Sequence, residues 1–158
     1  MSTIRNHGAT LQPTATIPGS PAANTAIFWT PAAEPLIWTG TQWIAPNGDS
    51  MLWPAAGLAD RNAAIVVAGT AVPCDPTTHT RCDGVVVVVS GGWALLRRRG
   101  LVYGFAGGLE SQAKYHVATP AGSLKKAPAS GIPRLIHVGV ALDTSVLLVD
   151  VTRPVGIG

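Results

Sequence analysis

The stretch from Gly100 to Val151 decides the fold: GLVYGFAGGLESQAKYHVATPAGSLKKAPASGIPRLIHVGVALDTSVLLVDV. Short runs rich in β-branched and aliphatic residues alternate with glycine-marked turns, and no apolar stripe of helical period interrupts them. The stretch ends in two apolar runs, Leu135–Leu142 and Ser145–Val151, with Leu142 to Ser145 spanning the joint. Asp143 sits in that joint, where an aspartate commonly hydrogen-bonds its own backbone. The pattern predicts a small twisted sheet or barrel and supplies no obvious catalytic group.

Upstream, strands are predicted at Ala63–Ala68, Gly84–Ser90 and Trp93–Arg98. They continue at Leu101–Phe105, Tyr115–Thr119, Leu135–Leu142 and Ser145–Val151. Val85 to Val89 is apolar on both faces, as in a strand sandwiched between two layers. Ser90-Gly91-Gly92 turns it back into Trp93–Arg98. Gly91-Gly92 and Gly107-Gly108 read as hairpin turns and not as phosphate loops, because no glycine-rich phosphate motif opens a helix here. Seven short strands and little helix predict an all-β fold, a small β-sandwich or β-barrel of short antiparallel strands.

The chain has 158 residues, enough for one domain with a proper core. The 18 glycines and 13 prolines fit a turn-rich chain. Charged residues are only 12% of the chain, about half the usual share. A surface so poor in charge is expected to be covered in part by other chains. The net charge of +3 is mild. Arg97-Arg98-Arg99 is the one dense basic cluster, with Lys125-Lys126 a smaller one. Nucleic-acid binding generally needs a broader basic face, so no specific nucleic acid is expected. In a strand Arg97 and Arg99 share a face, which suits a solvated strand end or contact with an acidic partner. No secretory leader is read at the start, and Val85–Val89 is too short to cross a membrane as a helix.

Residues 1–55 form a distinct zone. Between Asn6 and Ala33 there is no Lys, Arg, Asp or Glu, and prolines recur at 13, 18, 21, 31, 35, 46 and 54. Each removes a backbone donor and disfavours helix. The zone therefore reads as an extended Pro/Trp-rich N-terminal arm with one β-hairpin, followed by a β-sandwich or barrel core over 56–158. The hairpin is Leu36–Ile44 around Thr39-Gly40-Thr41, which places Trp38 and Trp43 near each other. Pro46-Asn47-Gly48-Asp49 is a strong turn signal. Trp29, Trp38, Trp43 and Trp53 all lie in this zone. Without a core of its own, such a zone needs these rings either to pack back on the sheet or to fill pockets on a neighbouring chain.

Four histidines (His7, His79, His116, His137) are scattered, and His116 and His137 are expected to face solvent or an interface. Cys74 and Cys82 are the only cysteines, in the loop VPCDPTTHTRCDG. They are open to three readings: a disulfide, free thiols, or, with His79 and an aspartate, a metal site. The loop composition predicts exposure. The acids form no close pair on a readable strand face, and no G-x-S-x-G elbow is present. No enzyme, cofactor or metal is expected.

The C-terminal third also resembles a recurrent segment of tailed-phage virion proteins, a "GLV.G…L..G..Y.v…G.L" region followed by "vGvAl….llv.v". The matching residues are Gly100, Leu101, Val102, Gly104, Leu109, Tyr115, Val117, Gly122 and Leu124, then Val138, Gly139, Val140, Ala141, Leu142 and Leu147 to Val149. Gln112-Ala113-Lys114 stands where the pattern prefers a glycine before the aromatic. The family is that of small capsid cement, or head decoration, proteins; similar β-modules occur on phage tail fibres. The resemblance implies a viral structural protein made in the host cytoplasm and carried on the virion. It would bind the major capsid protein and neighbouring copies of itself, often as a homotrimer, and link capsid subunits. The alternative is a tail-fibre or adhesin module that binds a host surface receptor. The expected contact residues are Trp29, Trp38, Trp43 and Trp53, with Arg97, Arg98 and Arg99 in second place. On that reading a chain lacking residues 1–54 keeps its fold and loses capsid binding.

Overall fold

Val85 to Val89 runs through the middle of the molecule and is packed on both sides, as its two-faced apolar pattern requires. Val85 belongs to one buried cluster and Val86 to another, and Val87 and Val88 pack against a third. In the computed structural model, which describes residues 4–6, 9–106, 108–126, 134–151 and 155–156, the described residues form strands and turns without helix.

The strands in chain order are β1 (Ile4–Asn6), β2 (Ala9–Thr14), β3 (Ala26–Trp29), β4 (Glu34–Trp38), β5 (Trp43–Ile44) and β6 (Ser50–Pro54). There follow β7 (Ala63–Val67), β8 (Thr70–Pro73), β9 (Gly84–Ser90), β10 (Trp93–Arg97), β11 (Arg99–Val102) and β12 (Lys114–Ala118). The chain continues through β13 (Ser123–Lys125), β14 (Arg134–Leu135), β15 (His137–Ala141), β16 (Leu147–Asp150) and β17 (Val155–Gly156). One ten-stranded sheet has the order β1-β2-β3-β4-β5-β6-β10-β9-β7-β8. A five-stranded sheet has the order β11-β16-β15-β12-β13, and β14 pairs with β17. Among the described residues the strand pairings are antiparallel except β2 with β3, and an isolated bridge between Ala55 and Ala71 is also parallel.

The large sheet curls on itself. Ala55, just past β6, bridges Ala71 of β8, and the Ala56 amide donates to the Ala71 carbonyl at 3.0 Å. This joins β6, β10, β9, β7 and β8 into a ring. A ring of so few strands has little interior room, and the residues buried there are mostly small: Ala64, Ala71, Val86, Ala94 and Leu96. The opposite face of β9 and β7 contributes Val85, Ala63 and Ile65 to a second core, completed by Val102, Tyr115, Val117, Val138, Leu147 and Val149 of the small sheet. Two layers packed in this way give the sandwich-like arrangement that the strand pattern predicts. Gly139 is required in it, because a Cβ there would collide with the Leu148 carbonyl.

The turns follow their sequence signals. Gly91 and Gly92 have φ of 57° and 80°, the left-handed pair of a tight hairpin between β9 and β10. In the joint before β16, Asp143 Oδ1 accepts hydrogen bonds from the Ser145 and Val146 amides at 2.7 and 2.9 Å.

The front zone departs from expectation. It is not an extended arm: β2 to β6 are consecutive strands of the large sheet, and β6 pairs along its length with β10. A boundary at residue 55 therefore cuts through the ring. The zone has a core, with Ile27 opposite Leu36, and Trp43, Leu52 and Leu95 in one row across β5, β6 and β10. The prolines that suggested an arm are accommodated by position. On β4 the Trp38 amide donates toward β3, to the Thr25 carbonyl at 2.8 Å. Strand alternation then turns the nitrogen of residue 35 to the other side, where β5 pairs only with Ile37 and Trp38. Pro35 thus removes a donor that had no acceptor waiting.

Candidate interaction surface

The four tryptophans divide. Trp29 and Trp43 are 0% and 1% exposed and sit inside the front core, so the expectation that they reach a partner is withdrawn. The Trp29 indole N–H donates to the Ala15 carbonyl at 3.2 Å. Trp38 and Trp53 are half-buried. Trp38 leans on the same core from outside, and Trp53 packs against the ring interior. Trp29 and Trp43 find full cover within the chain, and Trp38 and Trp53 part of theirs, because the meander of β3 to β6 builds the core that the proline-rich composition concealed.

The three arginines also differ. Arg97, at the end of β10, is tied down: Nε donates to Ser50 Oγ at 3.1 Å, a terminal nitrogen donates to the Leu101 carbonyl at 2.8 Å, and the guanidinium pairs with Glu34. Burial pushes its pKa down, but a guanidinium starts so high that it stays charged near neutrality. Arg97 is an internal fastener joining β4, β6, β10 and β11, and not a free contact. Arg98 and Arg99 are exposed. The Arg98 amide donates to the Asp49 carbonyl at 2.7 Å. The Arg99 side chain lies 4.0 Å from Asp150, with both more than half exposed.

The outward face of the small sheet carries a feature that the sequence reading missed. Register places Leu101, Leu148 and Val140 side by side across β11, β16 and β15. Alternation along β16 sends Leu147 and Val149 inward and leaves Leu148 41% exposed; Leu142, just past β15, is 50% exposed. Arg99 and Asp150 flank this row on one side, two register positions away and so on the same face, and exposed Lys114 ends it opposite Val140. An apolar strip bordered by charges of both signs is the composition of a protein–protein contact. The period-two alternation of Leu147–Asp150 was the signal available for it.

Cys74 and Cys82 are free thiols and both are buried. The exposed loop predicted around them is exposed only at Thr77, Thr78, Thr80 and Arg81. A hydrogen bond to the Cys82 thiol, together with burial, drives the Cys74 pKa far upward, so Cys74 stays protonated. Among the described residues no group of three metal-ligating side chains gathers around them, and His79 Nδ1 accepts instead from the Asp75 amide at 2.9 Å.

His116 and His137 are cross-strand partners at a bulge between β12 and β15, with ring centroids 5.5 Å apart. His116 is 8% exposed, against the expectation of a ring facing solvent or an interface. Its Nδ1 is buried without a hydrogen-bond partner among the described residues. His7 and Gly107 lie outside the described residues. Comparison with protein-family models, curated proteins and solved structures found no match.

Proposed function

We propose that this chain is a structural subunit of a tailed-phage particle, a decoration protein held on the outside of the head. Two things support the reading: the glycine–aliphatic pattern that resembles that family, and the outward strip Leu101–Leu148–Val140 with Leu142, of which Leu148 and Leu142 are exposed and the other two half-buried. The second carries it. Contact through this strip replaces the tryptophan arm as the means of docking. Apolar area buried there contributes roughly 25 cal/mol per Å² before the costs of association, so each contact is modest. Many copies linked on one lattice hold together because each bound subunit raises the effective concentration of its neighbours. The partners are the major capsid protein and further copies of the chain.

The test is incorporation into virions of the phage that encodes the chain. Quantitative mass spectrometry should find a copy number matching the head lattice, and Leu148→Asp should abolish incorporation while leaving the purified protein's Tm unchanged. A handful of copies per particle would favour the tail-fibre reading. Full incorporation of Leu148→Asp would remove the strip from the account.

A further inference from the structure

A second surface has a different chemistry. A groove of about 580 Å³ runs between the turn after β5 and strand β11. That volume lies within the range of small-molecule sites, roughly 300–1,000 Å³. Its apolar lining comes from Pro35, Ala45 and Leu101, and at its side stands Tyr103. Tyr103 is 59% exposed, the most exposed of the large apolar side chains described. Its hydroxyl has no hydrogen-bond partner among the described residues. An aromatic this open beside a groove offers a free ring face on which a ligand ring can stack.

The polar side of the groove is built on the Pro46–Asp49 turn. Gly48 takes φ of 75°, and Asn47 Oδ1 accepts from the Asp49 amide at 3.0 Å, which leaves the Asn47 amide nitrogen as a donor. The Asp49 carbonyl in turn accepts from the Arg98 amide, so the turn is clamped to the start of β11 and the two walls are fixed relative to each other. Asp49 and Arg99 present a carboxylate and a guanidinium within the same groove. Arg97 is already neutralised by Glu34. The groove therefore sums to no net charge while offering both donors and acceptors. A smaller cavity of about 260 Å³ shares Asn47, Asp49 and Arg99 with the groove and adds Arg98 and Asp150 to its lining.

We propose that this groove, with Tyr103 as its stacking face and Asn47, Asp49 and Arg99 as its hydrogen-bonding side, binds a neutral oligosaccharide. A pyranose ring has one face of C–H groups, which packs on an aromatic ring, and a rim of adjacent hydroxyls. Planar carboxylate, amide and guanidinium groups engage such hydroxyl pairs two at a time. Charge balance disfavours a phosphate or sulfate, which would meet Asp49 and Glu34. A groove of about 580 Å³ has room for more than one pyranose ring, which favours a short chain of sugars over a single one. The groove meets the docking strip at Leu101, which pairs in register with Leu148, so the variants below are placed at Tyr103 and Asn47, outside that strip.

The test is saturation-transfer NMR and calorimetry on the full chain with maltotriose, cellotriose, chitotriose and mannotriose, alongside a heparin hexasaccharide and ADP as anionic probes. At least one neutral trisaccharide should bind at millimolar concentration or tighter. Tyr103→Ala should weaken it by roughly tenfold or more, and Asn47→Ala should weaken it measurably. Because Tyr103 is so exposed, the variant should keep the parent Tm and the parent's incorporation into particles. No binding by any neutral trisaccharide at millimolar concentration, undiminished binding by Tyr103→Ala, or tighter binding of the heparin fragment or ADP would each overturn the proposal.

Discussion

Trp38 and Trp43 face each other across β4 and β5, with ring centroids 5.4 Å apart and planes inclined by 53°. The pair straddles the boundary of the front core: Trp43 is 1% exposed, while Trp38 is half-buried against it. Trp43→Ala should cost about 3–5 kcal/mol in folding free energy, and Trp38→Ala roughly 1–2 kcal/mol. Guanidinium denaturation measures both. A loss at Trp43 no larger than at Trp38 would mean that the front strands do not enclose it.

Arg97 and Arg98 are neighbours with opposite roles. Arg97→Ala strands the Glu34 carboxylate, whose side chain is 21% exposed, and removes bonds to Ser50 and Leu101. The expected loss is about 2 kcal/mol, discounted for the remaining exposure. Arg98→Ala should stay within about 0.5 kcal/mol of the parent. A double-mutant cycle with Glu34→Gln isolates the pair; additive losses would show that no coupling exists.

The thiols at Cys74 and Cys82 should resist Ellman's reagent in the folded protein and react on unfolding, because the thiolate is the reactive species and both side chains are buried. The folded Cys74 pKa lies above the ordinary thiol value of 9.0. Its stabilising contribution is therefore complete below that value and is lost as pH rises past it. Denaturation midpoints should fall between about pH 8 and about pH 10, and the fall should shrink in Cys74→Ala. Prompt labelling at neutral pH without denaturant would contradict the buried pair.

The histidine pair gives the opposite slope. Burial pushes the His116 and His137 pKa values below the usual 6.5, and Lys114 acts in the same direction on both. The carbonyls of Lys125 and Lys126 oppose this at His116. At His137 the His116 ring adds to the depression, and Asp150 opposes it. Folded values below the unfolded one mean stability that is present above about pH 6.5 and lost as pH falls. Thermal melts between about pH 7.5 and about pH 5 should show this loss, and His116→Gln with His137→Gln should flatten it. An unchanged profile in the double variant would assign acid sensitivity to other groups.

The back of the molecule was readable because its signals are local. Val85–Val89 announces burial on two sides by composition alone, and Gly91-Gly92 and Asp143 mark turns by backbone and side-chain chemistry that needs no distant partner. Gly84–Ser90 was placed to the residue. The front was misread because its cover is remote. The row Trp43–Leu52–Leu95 forms only when β10 arrives from forty residues downstream, and nothing within residues 1–55 signals that strand. His116 was misplaced for a related reason: alternation puts it opposite Tyr115 and Val117, but the bulge and the neighbouring His137 close over it. The outward strip needed the register of β11, β16 and β15, which alternation within one strand cannot supply.

The ring closed by Ala55 and Ala71 sets an order of events at the ribosome. Front strands leave the exit tunnel first, yet β6, already beside β5, gains its second antiparallel neighbour only once Trp93–Arg97 has been translated. Until then the indoles at 29 and 43 sit on a nascent sheet without Leu95 beneath them, open to chaperones. Trimming residues 1–54 does not free a ready-made remainder; it removes one stave from a cask, and the other four lose their hoop.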